Sequence, residues 1–193
     1  LKGLNIEGVP KELKNTIYSF KYNDFDYLSK LVKEKNIGII KMEVLRNELP
    51  KNNFLKKVRK LANKNGIILI FDECTTGFRE TFGGIHKKFR VNPDLLILGK
   101  ALGNGYAITA ILGTEKIMKS INTTFISSTF WTERIGSVAA LKTLEVMQKE
   151  KSWIKITAIG KKIISNWRKL AKKHNLKINI AGIPSLCSFS FLS

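Results

Sequence analysis

The sequence predicts an α/β domain with a mainly parallel sheet, and three observations lead to this prediction. Short apolar runs typical of buried strands alternate along the chain with amphipathic segments typical of helices. Glycine, proline and asparagine separate these segments and favour turns between them. Hydrophobic residues make up 44% and charged residues 25% of the chain, a balance that is ordinary for a folded domain.

Four segments have the apolar spacing of helices. The first begins after Asp24, a residue type that caps helix N-termini. The second, over residues 54–62, carries an apolar stripe among lysines and ends near Gly66, so we expect a surface helix there. Two further helices are predicted over residues 135–147 and, with a longer apolar face, over residues 153–170.

Six apolar runs predict strands. The four that precede the long helix would form the main sheet, and the two that follow it indicate a second domain. We therefore expect a large domain over residues 1–150 that begins upstream of this sequence, a connecting helix over residues 151–175, and the start of a small domain over residues 176–193. The predicted strands cover residues 37–44, 67–71, 95–98, 107–112, 177–180 and 186–192.

The net charge of +19 is the most unusual feature of the composition. Such a charge is typical of partners of nucleic acid or anionic membranes, but also of a protein whose surface is simply rich in lysine. The basic residues are scattered, and no nucleic-acid-binding motif or basic tail accompanies them, which favours the second interpretation. No apolar run approaches the ~20 residues of a membrane helix. We expect neither nucleic acid nor a membrane as a partner.

Cysteine and histidine do not indicate a metal site. Cys74 and Cys187 are far apart and form no paired motif, and His86 and His174 are isolated in the sequence. A disulfide framework is therefore not expected either, and a reducing, cytoplasmic location is the default expectation.

Two residues capable of chemistry follow predicted strands directly. Asp72 comes after the strand that ends at Phe71, and Lys100 comes after the strand that ends at Leu98. Ligands of α/β sheets bind at the carboxyl ends of the strands, so these two side chains could face one pocket. Each alone could equally be a cap, turn or surface residue, because loops after strands are commonly polar.

The residues around Asp72 and Lys100 resemble the class III aminotransferases, the group that includes glutamate-1-semialdehyde aminomutase. The resemblance covers most of the chain, and its strength is the order and spacing of several short motifs. These motifs are Gly8-Val9-Pro10, Tyr22-Asn23-Asp24, Ile70-Phe71-Asp72-Glu73, Thr76-Gly77-Phe78-Arg79, Gly83-Gly84, Pro93-Asp94-Leu95, Gly99-Lys100, Gly103-Asn104-Gly105 and Ser128-Thr129-Phe130.

The resemblance implies the type I fold of pyridoxal-phosphate-dependent transferases, with an α+β small domain at the C-terminal side. It also implies pyridoxal 5'-phosphate as cofactor and a Schiff base between the cofactor and Lys100. Lysine suits that role because its amine can lose a proton and attack a carbonyl. Asp72 would keep the pyridine nitrogen protonated, which makes the ring a stronger electron sink.

The resemblance implies further cofactor contacts at three positions. Glu43 corresponds to a glutamate near the active site, although a charge at a strand end explains it equally well. Cys74 stands where the family has a branched apolar residue against the ring, and a buried cysteine can pack as a small apolar group. Thr129 corresponds to a residue that contacts the cofactor phosphate of the neighbouring subunit. Glu73 would support the site or the fold, and Arg134 would meet a substrate carboxylate or lie on the surface.

The resemblance further implies a homodimer with the active site at its interface, and small molecules that donate and accept the amino group. The Gly-Ser-rich loop that holds the phosphate in the same subunit is expected upstream of Leu1, so we expect residues 1–193 alone to be inactive. An intramolecular amino shift, as in the aminomutase, uses the same lysine and acid and stays an alternative. A degenerate member that keeps only the scaffold is another.

Overall fold

The computed structural model describes residues 7–192, which form a layered arrangement of helices against a four-stranded sheet. A second, two-stranded sheet lies at the C-terminal side. The helices are α1 (Phe25–Glu34), α2 (Phe54–Lys64), α3 (His86–Phe89), α4 (Glu115–Met118), α5 (Ile135–Glu150) and α6 (Ser152–Lys173). The strands are β1 (Ile39–Glu43), β2 (Ile68–Asp72), β3 (Leu95–Leu98), β4 (Ala110–Gly113), β5 (Ile178–Ala181) and β6 (Ser188–Phe191).

The main sheet has the strand order β1-β2-β3-β4. The first two pairs are parallel and the pair β3-β4 is antiparallel, so the prediction of a mainly parallel α/β sheet is confirmed. The parallel register aligns Glu43 with Asp72 and Asp72 with Ile97. The carboxyl ends of β1, β2 and β3 therefore meet at one edge of the sheet.

The main core lies between one face of β1 and β2 and the helices α1 and α2. Alternate strand residues point into it, as the period of two requires. The apolar stripe of α2 was predicted from its spacing, and the structure buries it. At the start of α1 the Asp24 carboxylate accepts a hydrogen bond from the backbone N–H of Tyr27, which confirms the predicted cap. The most deeply buried core residues are Val44, Leu45, Phe54, Leu55, Val58, Ala62, Leu69 and Phe71.

Residues 176–192 pack against the rest of the chain as well as forming their own hairpin. Ile183 lies in the main core, and the backbone N–H of Gly182 donates to the carbonyl of Asn47. Helix α6 approaches the backbone of Pro184 so closely that a Cβ at Gly160 would lie 1.9 Å from its carbonyl oxygen.

We therefore expect Gly160→Ala to separate α6 from this segment and to lower the thermal unfolding temperature. The control Ala158→Gly on the same helix would cost only about 1 kcal/mol of stability.

The strand boundaries differ slightly from the sequence-based prediction. Residues 107–109 precede β4 rather than belonging to it, and β1 begins at Ile39 rather than at Ile37. No helix within residues 7–192 has both the length and the apolar character needed to cross a bilayer. Within the same residues, no group of three His, Cys, Asp or Glu side chains is arranged to hold a metal ion.

Candidate active site

Asp72 and Lys100 lie at the same edge of the sheet, at the ends of two neighbouring parallel strands. Asp72 is the last residue of β2, and Lys100 comes two residues after the end of β3. The backbone N–H of Glu73 donates to the carbonyl of Ile97 over 2.9 Å, so the two strands stay paired up to this point. Parallel pairing therefore places the acid and the lysine in the region where α/β sheets bind ligands.

Both carboxylate oxygens of Asp72 have partners. The backbone N–H of Cys74 donates to Oδ1 over 3.2 Å, and Nζ of Lys41 lies 3.1 Å from Oδ2. Burial by itself raises the pKa of Asp72, but the hydrogen bonds and charge of Lys41 and the N–H of Cys74 outweigh it, so the pKa lies below its ordinary value. The group is therefore ionised at neutral pH, as an acceptor for a protonated ring nitrogen must be.

Lys100 opens a short 3-10 helix over Lys100–Leu102 and has the backbone angle φ of 44°, in the left-handed region. A residue with a Cβ pays for this conformation, and such strain is concentrated at functional sites. Its amine donates to Oγ1 of Thr75 over 2.9 Å. The partner in this contact is a neutral hydroxyl rather than a carboxylate.

Two cavities adjoin the exposed side chain of Lys100. One, of about 670 Å³, is lined with Thr109, Ser128 and Trp131, and the other, of about 770 Å³, with Arg79 and Met147. These volumes are in the range of small-molecule sites. Lys100 therefore has room for a small ligand beside it.

Cys74 lies between Asp72 and Gly99. Its Sγ would be 3.2 Å from a Cβ placed on Gly99, so the chain that leads into Lys100 passes close against the thiol. Burial and the charge of Asp72 raise the pKa of Cys74, against the opposing charges of Lys100 and Lys41. A thiol with a raised pKa is neutral at pH 7 and acts as a small apolar group.

Glu73 is fully buried and holds the loop after β2 to the start of α3. Its Oε2 accepts from the backbone N–H of Ile85 over 2.5 Å and from Oγ1 of Thr76 over 3.1 Å. Its Oε1 accepts from the backbone N–H of His86 over 3.0 Å and lies 2.7 Å from Nδ1 of the same residue. These partners belong to the loop after β2 and to the start of α3, which indicates a structural role for Glu73.

The other predicted positions have other partners or lie on the surface. Glu43 is aligned with Asp72 in the sheet, but its Oε1 pairs with Nη1 of Arg46 at 3.6 Å. Thr129 is exposed, and its neighbours Ser128 and Phe130, rather than Thr129 itself, line the cavity beside Lys100. Arg134 is exposed. The structure thus brings Asp72, Cys74 and Lys100 together and leaves the other three at the margin.

Sequence reasoning missed two residues of this region. Lys41 lies within an apolar run of the sequence. The only sign of its role is that it stands two positions before Glu43, a spacing that puts Lys41 and Glu43 on one face of the strand. His86 is isolated in the sequence, yet the structure buries it against Glu73. Both contacts join residues more than ten positions apart, so neither spacing nor composition could indicate them.

A model of the family described as "Aminotransferase class-III" matches residues 47–193. Among curated proteins, the 3-aminobutyryl-CoA aminotransferase of Cloacimonas acidaminovorans (strain Evry) is 37% identical over 193 residues, which are 95% of this chain and 47% of that protein. The glutamate-1-semialdehyde 2,1-aminomutase of Methanocaldococcus jannaschii is 36% identical over 198 residues, 97% of this chain and 46% of that protein. The chain spans about half the length of the curated relatives that it matches.

Solved structures show the same fold. The FumI protein of Sphingopyxis sp. MTA144, solved in its PLP internal aldimine form, superposes with a TM-score of 0.86 at 24% identity, over 91% of this chain and 44% of that one. The acetylornithine aminotransferase of Elizabethkingia anophelis gives a TM-score of 0.78 at 29% identity, over 90% of this chain and 45% of that one. The similarity to FumI concerns the fold alone.

The fold is that of solved aminotransferases, one of them an acetylornithine aminotransferase. The chain belongs to the class III aminotransferase family, as the resemblance in its sequence had indicated. The family implies pyridoxal phosphate as cofactor, and the residues present fit that group. An ionised carboxylate at one strand end and a lysine held by a neutral hydroxyl at the next are the two groups that its ring nitrogen and its aldehyde require.

Proposed function

We propose that this chain supplies the cofactor-binding centre of an enzyme that transfers amino groups with pyridoxal phosphate. One observation carries the proposal. Lys100 and an ionised Asp72 lie at the carboxyl ends of adjacent parallel strands, beside cavities large enough for a small molecule. Small-molecule amino donors and acceptors would be the substrates. A cytoplasmic location is part of the same proposal.

When bound, the cofactor supplies an aldehyde that condenses with amines and a protonated ring that withdraws electrons from carbon. Nζ of Lys100 would bind the aldehyde carbon and, once released by substrate, would carry a proton from one carbon to another. Thr75 Oγ1 holds that amine in position in the free site. Asp72 would accept a hydrogen bond from the ring nitrogen and keep its proton in place.

Three residues would complete the contacts with the cofactor. Neutral Cys74 would pack against the ring, since it lies beside Asp72 and its thiol is uncharged. Thr129 would donate a hydrogen bond from its hydroxyl to the cofactor phosphate of a second subunit. Its exposed position would let it reach that subunit. Glu43 would face the site from β1 once Arg46 moves away, because its register places it next to Asp72.

Replacing Asp72 with Asn tests the role of the carboxylate. We expect turnover by the full-length protein to fall by about 10²–10³-fold, the usual effect of removing an electrostatic contact at a reacting centre. Because the pKa of Asp72 is depressed, its contribution to cofactor affinity would stay constant through neutral pH and be lost only in acid, as the pH falls through that lowered pKa. Cofactor titrations at a series of pH values measure the affinity and its dependence on pH.

Asp26→Asn is the matched control, because Asp26 is an exposed residue of α1 far along the sequence from the site. It should leave turnover and affinity unchanged. If Asp72→Asn protein kept full turnover and full affinity, the carboxylate would have no part in cofactor binding.

An intramolecular amino shift is the second candidate function, favoured by the 36% identity to the aminomutase of Methanocaldococcus jannaschii. The two reactions differ in stoichiometry. Incubation of the full-length protein with glutamate 1-semialdehyde or with 3-aminobutyryl-CoA, each with and without a separate 2-oxo acid, distinguishes them. Turnover that requires the 2-oxo acid supports amino transfer between molecules, and turnover without any acceptor supports the shift.

The chain would act as a homodimer with the active site at the interface. Support comes from a surface of exposed apolar side chains, here named the 125–141 surface, which lies next to the cavity that Lys100 lines. Phe125 is 93% exposed and Trp131 is 66% exposed, values that are costly for large apolar groups in water. Its exposed members are Phe125, Ile126, Phe130, Trp131, Ile135, Val138 and Leu141.

Trp131→Lys should weaken the proposed dimer, because a charge replaces an aromatic side chain at the interface. Sedimentation of the full-length protein at micromolar concentration would show more monomer, with a dimer dissociation constant raised by at least about tenfold. The control Ile17→Lys changes an 88% exposed apolar residue outside the 125–141 surface and should leave the dimer intact. An unchanged dimer in the Trp131 variant would place the interface elsewhere.

A further inference from the structure

We propose that Lys41 competes with the ring nitrogen of the cofactor for the carboxylate of Asp72, and so sets how strongly that nitrogen contributes to binding. The inference rests on the proposed role of Asp72. Lys41 would be a positioning residue, because it acts on the cofactor through the carboxylate rather than by touching a reacting atom.

The register of the sheet explains how Lys41 reaches Asp72. In β1, Lys41 alternates with buried Ile40 and Met42, so its side chain lies on the face away from the main core. Asp72 occupies the same face of the neighbouring strand β2, aligned with Glu43 two residues further along. The lysine therefore extends diagonally toward the carboxyl ends of the strands, and its Nζ comes within 3.1 Å of Oδ2.

The charges around Asp72 make Lys41 its principal cationic partner. Glu43, the nearest acid on β1, is directed to Arg46, and Lys100 donates to Thr75. Cys74 on the following loop is a neutral thiol that gives Oδ1 its backbone N–H. Oδ1 thus already accepts from the backbone, and Oδ2 is the oxygen that Lys41 binds.

The ammonium group of Lys41 has two opposing effects on the site. It keeps Asp72 ionised, which prepares the carboxylate for a cation. It also has to be displaced, or to share the carboxylate, when a second cation arrives, and like charges that meet at one carboxylate repel each other. Because Lys41 is 57% exposed and Asp72 is 26% exposed, water screens the pair and the net effect is moderate.

The test compares two ligands that differ only at the ring nitrogen. The full-length protein is titrated with pyridoxal phosphate and with its 1-deaza analogue, which has carbon at that position, and the ratio of the two dissociation constants isolates the ring nitrogen. Attraction between Lys41 and the phosphate group cancels in this ratio. We expect Lys41→Met to increase the preference for pyridoxal phosphate by about fivefold, and Lys41→Arg to preserve the wild-type ratio.

Lys119→Met is the matched control. Lys119 pairs with Glu115 at 2.8 Å on an exposed surface, so its replacement removes the same charge and one ion pair without touching Asp72. The preference should stay at the wild-type value. A preference that is unchanged or reduced in Lys41→Met protein would overturn the inference.

A second readout needs no cofactor. Carbon-13 NMR of the aspartate carboxyl groups in the cofactor-free protein reports the pKa of Asp72, which we expect to rise in Lys41→Met protein and not in Lys119→Met protein. An Asp72 pKa that does not respond to Lys41 would also overturn the inference.

Asp72→Asn separates the failure of this inference from that of the proposed function. If Asp72→Asn abolishes the preference for the ring nitrogen but Lys41→Met does not change it, only the role of Lys41 is wrong. If Asp72→Asn leaves the preference intact, Asp72 is not the partner of the ring nitrogen, and the proposed function itself loses its support.

Discussion

Lys100→Ala protein should lose turnover by about 10⁴-fold, the upper range for removing a group that carries a proton in the reaction. Two functions disappear together in this variant, since the same amine would hold the aldehyde carbon and move the proton. The fold should be retained, because the Lys100 side chain is exposed and its partner Thr75 loses only one hydrogen bond. Turnover of any accepted amino donor, followed spectroscopically, measures the loss.

A small primary amine added to the Lys100→Ala protein provides a readout that a structural role would not give. If the lysine acts as a proton carrier, ethylamine should restore part of the turnover in proportion to its concentration. Lys142→Ala is the control, since Lys142 lines a cavity together with Lys100 but pairs with Glu145. Full turnover by Lys100→Ala protein, or an equal loss in the Lys142 variant, would contradict the assignment.

Glu73→Ala should be the most destabilising single substitution near the site. It leaves the backbone N–H groups of Ile85 and His86 and the hydroxyl of Thr76 without their buried acceptor, and Nδ1 of His86 without its buried partner. Breaking one side of such a buried arrangement costs about 3–5 kcal/mol. Circular dichroism during heating measures the change.

Glu145→Ala is the matched control for Glu73, because it removes a carboxylate whose ion pair with Lys142 is exposed. Its effect should stay within about 0.5 kcal/mol. The Glu73→Gln variant keeps an acceptor oxygen and should lie between the two. A Glu73→Ala protein as stable as the Glu145 variant would show that the loop does not depend on this carboxylate.

The elements that the sequence predicted well are those whose signals are local. The apolar stripe of α2, the cap at Asp24 and the run from Leu95 to Leu98 each depend on neighbours within a few residues. The association of Ile183 with the main core was not predictable, because it joins the end of the chain to strands more than a hundred residues earlier. The hairpin strands β5 and β6 were predicted, but their packing against the rest was not.

The site followed the same division between local and distant contacts. Asp72 and Lys100 could be selected as candidates because each follows an apolar strand and is surrounded by the motifs of a known family. The side-chain partners of Asp72 and Lys100 are Lys41 and Thr75, which lie 31 and 25 positions away in the sequence and are brought close only by the fold. The sequence alone therefore indicated candidate reactive groups, but not the side chains that contact them in the fold.

The most direct test of the proposed function is to find which side chain the cofactor binds covalently. The full-length protein with pyridoxal phosphate is reduced with sodium borohydride, digested, and analysed by peptide mass spectrometry. The proposal predicts that the reduced cofactor is attached to the peptide that contains Lys100, at that residue. Attachment to another lysine, such as Lys41 or Lys142, with Lys100 unmodified, would contradict it.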